Sequence, residues 1–95
     1  MKAPNYTPAP WVSKPVTSSV LMKVFSIEAE GIQIGWTPNQ SEEAKANAQL
    51  IAAAPDLAEA LSLILDRLET ETHSLAIKGT INKAKEALIK AGYTL

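Results

Sequence analysis

Asn47-Ala48-Gln49-Leu50-Ile51-Ala52-Ala53-Ala54-Pro55-Asp56-Leu57 sets a proline inside an otherwise strong helical run, directly after three alanines. Proline has no N–H to offer the Ile51 carbonyl, and its ring crowds that carbonyl, so the helix is expected to break or kink there. The resulting expectation is a first helix over about residues 40–53. A second starts at Pro55, where proline is tolerated as a first helical residue, and runs to about residue 71. On that second helix Leu57, Leu61, Ile64, Leu65 and Leu68 form one apolar stripe.

Working upstream, Asn39 followed by Glu42 fits a capping box, and Ser41 is a competing cap for the first helix. Residues 20–27 are rich in β-branched and large apolar side chains, and Ile32, Ile34 and Trp36 alternate with Gln33 and Gly35. Glu28-Ala29-Glu30-Gly31 supplies the turn of a hairpin, with Gly31 free to take a positive φ. A hairpin alone is marginal in water, and residues 20–27 are apolar on both faces, which favours an oligomer. Residues 1–19 hold Pro4, Pro8, Pro10 and Pro15 and read as an extended arm, whose Trp11 ring is expected to dock on the domain.

Downstream, residues 70–74 make a connection and the last helix spans roughly residues 75–91, capped by Gly92. Ile77, Ile81, Ala84, Leu88 and Ala91 follow a 4-3-4-3 spacing on it, the mark of a helical seam. Leu57, Leu61, Ile64 and Leu68 repeat that spacing, so an antiparallel helical pair, within or between subunits, is expected. The fold class is α+β: an N-terminal arm (1–19) and an antiparallel β-hairpin (20–36), then two to three α-helices (40–92). These make one domain over 1–95, assembling as a dimer or higher homo-oligomer.

Ninety-five residues allow one small domain, and five aromatic residues leave the core to Leu, Ile, Val and Ala. The absence of cysteine removes disulfides and thiolate metal sites. A net charge of −1 argues against a general electrostatic grip on DNA or RNA, and no signal peptide or membrane span is apparent. Charge is unevenly spread: residues 41–73 carry seven acids against Lys45 and Arg67, whereas residues 74–95 carry four lysines against Glu86. These two stretches should attract one another, each exposed pair contributing little.

Little here points to catalysis. His73 is the only histidine and has no companion at metal-ligand spacing, so it reads as a residue at a helix end, and no metal or cofactor is expected. Asp66, Glu69 and Glu71 read as a solvated face. The four glycines are isolated, which excludes a phosphate-cradling loop. Trp36 stands where the strand hands over to the first helix, a place that lines sites more often than mid-strand positions do, and its ring could stack on a base. Trp11 is a second candidate. Asn47 reads equally as a ligand contact and as a side chain bonded to its own backbone. Arg67, the only arginine, reads either as a fork for phosphate or as a surface partner of Glu71 or Asp66.

The arm Thr7-Pro8-Ala9-Pro10-Trp11 and the stretch from Asn47 to Leu57 together resemble a recurrent family of small bacteriophage accessory proteins. That family pairs a Thr-Pro-x-Pro-Trp arm and a variable hairpin with Asn-Ala-x-Leu-Ile-Ala-Ala-Ala-Pro-Asp/Glu-Leu. This chain departs by carrying Gln49 where the family usually has arginine. The layout is also similar to phage sponges that counter the Thoeris defence by sequestering cyclic ADP-ribose isomers or related cyclic nucleotides. That resemblance implies a non-enzymatic, oligomeric binder acting in the cytoplasm of the infected host, with a small cyclic nucleotide as ligand and neither nucleic acid nor membrane as partner. Trp36 and Trp11 would stack on the base, Asn47 would hydrogen-bond the ligand, and Arg67 would meet phosphate across a subunit interface. The alternative is a phage inhibitor or adaptor that acts on a host protein through the hairpin edge or a helix face.

Overall fold

The computed structural model describes residues 1–17, 23–71 and 73–94. The elements run β1 (Val12–Thr17), β2 (Lys23–Ala29), β3 (Ile32–Thr37), α1 (Glu42–Leu68) and α2 (Leu75–Lys90). The fold is α+β, as the sequence predicts, and the expected hairpin is the β2–β3 part of an antiparallel sheet of three strands in the order β1-β2-β3. The expected first strand is described from Lys23 onward, and its Val20, Leu21 and Met22 lie outside the described residues.

The third strand comes from the proline-rich arm, whose expected extended form continues into sheet pairing at Val12. Pro15 lies opposite Phe25 in the ladder. It is tolerated because β1 is an edge strand, where a missing N–H on the outer side costs no ladder bond. The hairpin turn places both Glu30 (φ 54) and Gly31 (φ 78) in the left-handed region. That is the backbone a two-residue hairpin turn requires if its twist is to match the strands.

The chain divides into two compact units, Thr7–Asp56 and a second formed by Met1–Tyr6 with Leu57–Leu95. In the first, Phe25 and Ile27 of β2 are buried with Ala44 and Ala48 of α1, and Trp11, Ile34 and Ala52 pack against them. Small alanines at Ala44, Ala48 and Ala52 recur every four residues and let the helix lie close on the sheet. A register shift of β3 at Ile27/Glu28 accompanies the turning of Ile34 onto this core. The Gln40 carboxamide donates to the carbonyls of Val16 (3.3 Å) and Val24 (3.1 Å), tying the strand-to-helix connection to β1 and β2.

The helix start decides between the two caps that the sequence offers. Ser41 is the cap, its hydroxyl accepting from the Ala44 N–H (3.1 Å), whereas Asn39 accepts from the Ser41 N–H (2.9 Å) in a local turn. Pro55 corrects an expectation. α1 runs from Glu42 to Leu68 with Pro55 inside it, so the two helices expected on either side of the proline are one, and the described residues hold two helices, the lower of the expected two to three. The run Ala52-Ala53-Ala54 before the proline and Leu57-Ala58-Glu59-Ala60-Leu61 after it consists of strong helix formers. Their summed propensity, together with the packing of α1, offsets the one hydrogen bond that Pro55 removes.

In the second unit Leu65, Ile81, Leu88 and Tyr93 are buried together, with Ala58, Leu61, Leu68 and Ala84 packed against them. The expected helical pair is therefore intramolecular, but it uses only part of the expected stripe. Leu57 and Ile64 remain 54% and 55% exposed. Ser74 caps α2, accepting from the Ile77 N–H (3.4 Å), and Gly92 (φ 93) ends it. The attraction between the acidic and basic stretches appears as a Lys85–Glu69 ion pair at 2.7 Å. Met1–Tyr6 joins this unit through a bridge between Lys2 and Thr94 and a hydrogen bond between the hydroxyls of Tyr6 and Tyr93 (3.1 Å).

Candidate functional site

Strand alternation decides which side chains of the first unit lie on the α1 side of the sheet and which on the other. Phe25 and Ile27 pack with α1, so Val24, Ser26 and Glu28 lie on the opposite face, where Val24 and Ser26 are buried and Glu28 is half-buried. The ladder places Trp36 on one side of Ser26 and Lys14 on the other, so Trp36, Ser26 and Lys14 form one row across three strands on the outer face. Adjacent strands are about 4.8 Å apart, which sets an indole and an ammonium-bearing chain roughly 10 Å apart at their backbones.

The row is supported from within the sheet. Gln33 Nε2–H donates to the Ser26 hydroxyl (2.9 Å), and Lys14 Nζ meets a Glu28 carboxylate oxygen at 3.2 Å. Ser26 is buried, whereas Trp36 is 53% exposed. The Lys14 side chain is 57% exposed, so its ion pair is solvated and contributes little to holding the ammonium in place. The exposed Trp36 ring and the movable Lys14 cation, with the buried Ser26 between them, are chemically suited to a planar heterocycle carrying an anionic group.

A second feature of the same unit joins the two sequence motifs. Trp11, Val12 and Ser13 face Gln49, Ala52, Ala53 and Asp56 across an open groove of about 380 Å³. The four helical residues fall at i, i+3, i+4 and i+7 and therefore line one face of α1. Trp11 also packs on the Phe25–Ala48 core, and its indole N–H donates to the Thr7 carbonyl (2.8 Å). The expected docking of that ring is thus seen. Gln49, at the position where the resembled family carries arginine, offers this groove a neutral amide.

The remaining sequence candidates fall elsewhere. Trp11 lies on the helix side of the sheet and Trp36 on its outer side, so the two rings do not converge on one ligand within a protomer. Asn47 is exposed on α1, again on the helix side. Arg67 is exposed in the last turn of α1 and belongs to the second unit. His73, half-buried, donates from Nε2 to the Leu68 carbonyl (2.6 Å) and closes the end of α1. Among the described residues, no group of three or more His, Cys, Asp or Glu side chains is placed to hold a metal ion.

Sequence reasoning missed Lys14, Ser26 and Gln33 on the outer face and Ser13 and Asp56 in the groove. The signal was present for both. Val12, Lys14 and Val16 alternate with Ser13, Pro15 and Thr17, and the helical spacing of Gln49 to Asp56 is visible once Pro55 is allowed inside one helix.

A small α+β protein with a one-layer sheet and a non-polar helix defines an architecture rather than an activity. The chain belongs to the family of Salmonella phage P22 protein Y8K6, which matches it over residues 1–94. It is thus a small phage protein, the broader of the two resemblances drawn from its motifs. No match was found among curated proteins or among solved structures.

Proposed function

We propose that this phage protein is a non-catalytic binder that sequesters a host cyclic nucleotide signal, a cyclic ADP-ribose isomer or a cyclic oligonucleotide, in the cytoplasm of the infected cell. The observation that supports this reading best is Trp36, 53% exposed on the outer face of the sheet in line with Ser26 and Lys14. An indole held half in solvent is costly to leave uncovered, and base-on-indole stacking is worth about 1–3 kcal/mol per base. Lys14 then supplies the charge partner for a ring-closing phosphate, releasing Glu28. Asn47 lies on α1, on the other side of the sheet from this row, so a contact it makes with the same ligand comes from a second protomer.

Calorimetry against cyclic ADP-ribose isomers and cyclic oligonucleotides tests the reading. Micromolar or tighter binding of one of them, with the ligand recovered intact after denaturing the protein, is the expected result. Absence of binding to all of them overturns it.

A second reading is supported by the β3 edge. β3 borders the sheet and leaves Ile32 64% exposed at its start and Trp36 53% exposed near its end, which suits addition of a strand from a host protein. Recovery of one stoichiometric host protein in a pull-down, with no small molecule retained, would favour that reading.

A further inference from the structure

The second unit holds a pocket of its own, about 250 Å³ in volume, whose polar lining is Glu59, Ser62 and Asp66 of α1 with Tyr6 and Tyr93. Glu59, Ser62 and Asp66 fall at i, i+3 and i+7 and so lie on one face of the helix, with a carboxylate at each end about 10 Å apart along the axis.

These groups are acceptors in want of donors. Glu59 enters no ion pair among the described residues. Asp66 gives one oxygen to the Met1 ammonium (3.2 Å) and keeps the other, and an ionised carboxylate has about four lone-pair sites in all. Ser62 is 8% exposed, yet its hydroxyl makes no hydrogen bond among the described residues. A hydroxyl so buried is costly to leave unpartnered. Tyr6 and Tyr93 share one hydrogen bond between their hydroxyls (3.1 Å). Tyr93 keeps its proton well above the ordinary range, through that bond first, then through burial, with the Glu59 carboxylate adding to both. No lysine or arginine side chain lines the pocket, whereas Leu63, 59% exposed, and Ala3 give it an apolar wall.

We infer that this pocket binds a short aliphatic amine with two ammonium groups, one at Glu59 and one at the free oxygen of Asp66, with its methylenes along Leu63 and past Ser62. Two carboxylates two turns apart match two positive charges and are too distant to share one metal ion. Among the described residues no three His, Cys, Asp or Glu side chains gather for a metal. An anionic ligand is repelled by both carboxylates, so this site is independent of the Trp36 row and of the reading built on it. The volume lies below the roughly 300–1,000 Å³ of sites for drug-sized molecules, which suits a chain of four or five methylenes. The pocket already holds one ammonium, that of Met1, on the same carboxylate.

Isothermal titration of the full chain with 1,4-diaminobutane and 1,5-diaminopentane tests the inference, with butylamine and 1,4-butanediol as the singly charged and uncharged probes. Saturable one-to-one binding of a diamine is expected, at least about fivefold tighter than butylamine, with none of the diol. Glu59 is exposed, so Glu59→Gln should keep the helical circular dichroism spectrum while weakening the diamine by about tenfold or more. Ser62→Ala should weaken it a few-fold. Glu86→Gln, which removes an acid of α2 outside the pocket, should change nothing. No saturable binding up to about 10 mM, a diamine bound no better than butylamine, equal affinity in wild type and Glu59→Gln, or the same loss from Glu86→Gln would each overturn the inference.

Discussion

Thr37 carries a cost within the fold. It is 5% exposed, and its hydroxyl has no hydrogen-bond partner among the described residues. Because an unmade buried hydrogen bond is penalised, Thr37→Val should stabilise the protein by about 1 kcal/mol, read as a shift in the urea midpoint at constant slope. Trp36, its neighbour, faces the other way and is half exposed, so Trp36→Ala should cost about 1–2 kcal/mol and leave the chain folded. Trp36 was legible from the alternation Ile32, Ile34, Trp36, although the register shift turned Ile34 from its outward place onto the core. Lys14 was not legible, because Pro15 beside it reads as a strand breaker unless the strand is known to be an edge. Asn47 and Arg67 were legible as exposed polar residues and no further, since one sequence does not state which face of the sheet a helix covers.

At the scale of the element, α1 divides its leucines between two duties. Leu65 is 2% exposed and packs with Ile81, Leu88 and Tyr93, whereas Leu57 is 54% exposed. Leu65→Ala should therefore cost about 2–5 kcal/mol, and Leu57→Ala less than about 1 kcal/mol. Chemical denaturation measures both. The hairpin, the α2 boundaries and the Gly92 cap could be read from composition alone, because each rests on local chemistry. Pro55 was misread for the complementary reason. Its local effect is real, but the outcome depends on the strong helix formers Ala52–Ala54 before it and Leu57–Leu61 after it, and on the core they pack into. The leucine stripe was visible, but period alone does not tell which of two adjacent seams faces inward.

At the scale of the molecule, Tyr93 couples chain ends to core. Its phenol is pushed up to about 12 by the hydrogen bond with Tyr6 and by burial. Between its ordinary value near 10 and that raised one, the folded chain holds a proton that the unfolded chain has released. The stabilisation is thus complete below pH 10 and is lost as pH rises toward 12. Thermal melts across that range should show the melting temperature of the wild type falling faster than that of Tyr93→Phe, which lacks the titrating group. The α+β class followed from the sequence, whereas the division into two units did not. Met1–Tyr6 looks like part of one continuous arm, and only the Lys2–Thr94 bridge and the Tyr6–Tyr93 contact reveal that it belongs with the C-terminal residues.

The proposed stacking of a nucleotide on Trp36 is read by isothermal titration of the wild type and of Trp36→Ala with the tightest-binding cyclic nucleotide. Removal of the ring should weaken binding by about five- to 150-fold, the equivalent of one lost stack. Equal affinity in the two proteins, with both folded, would rule out the stack.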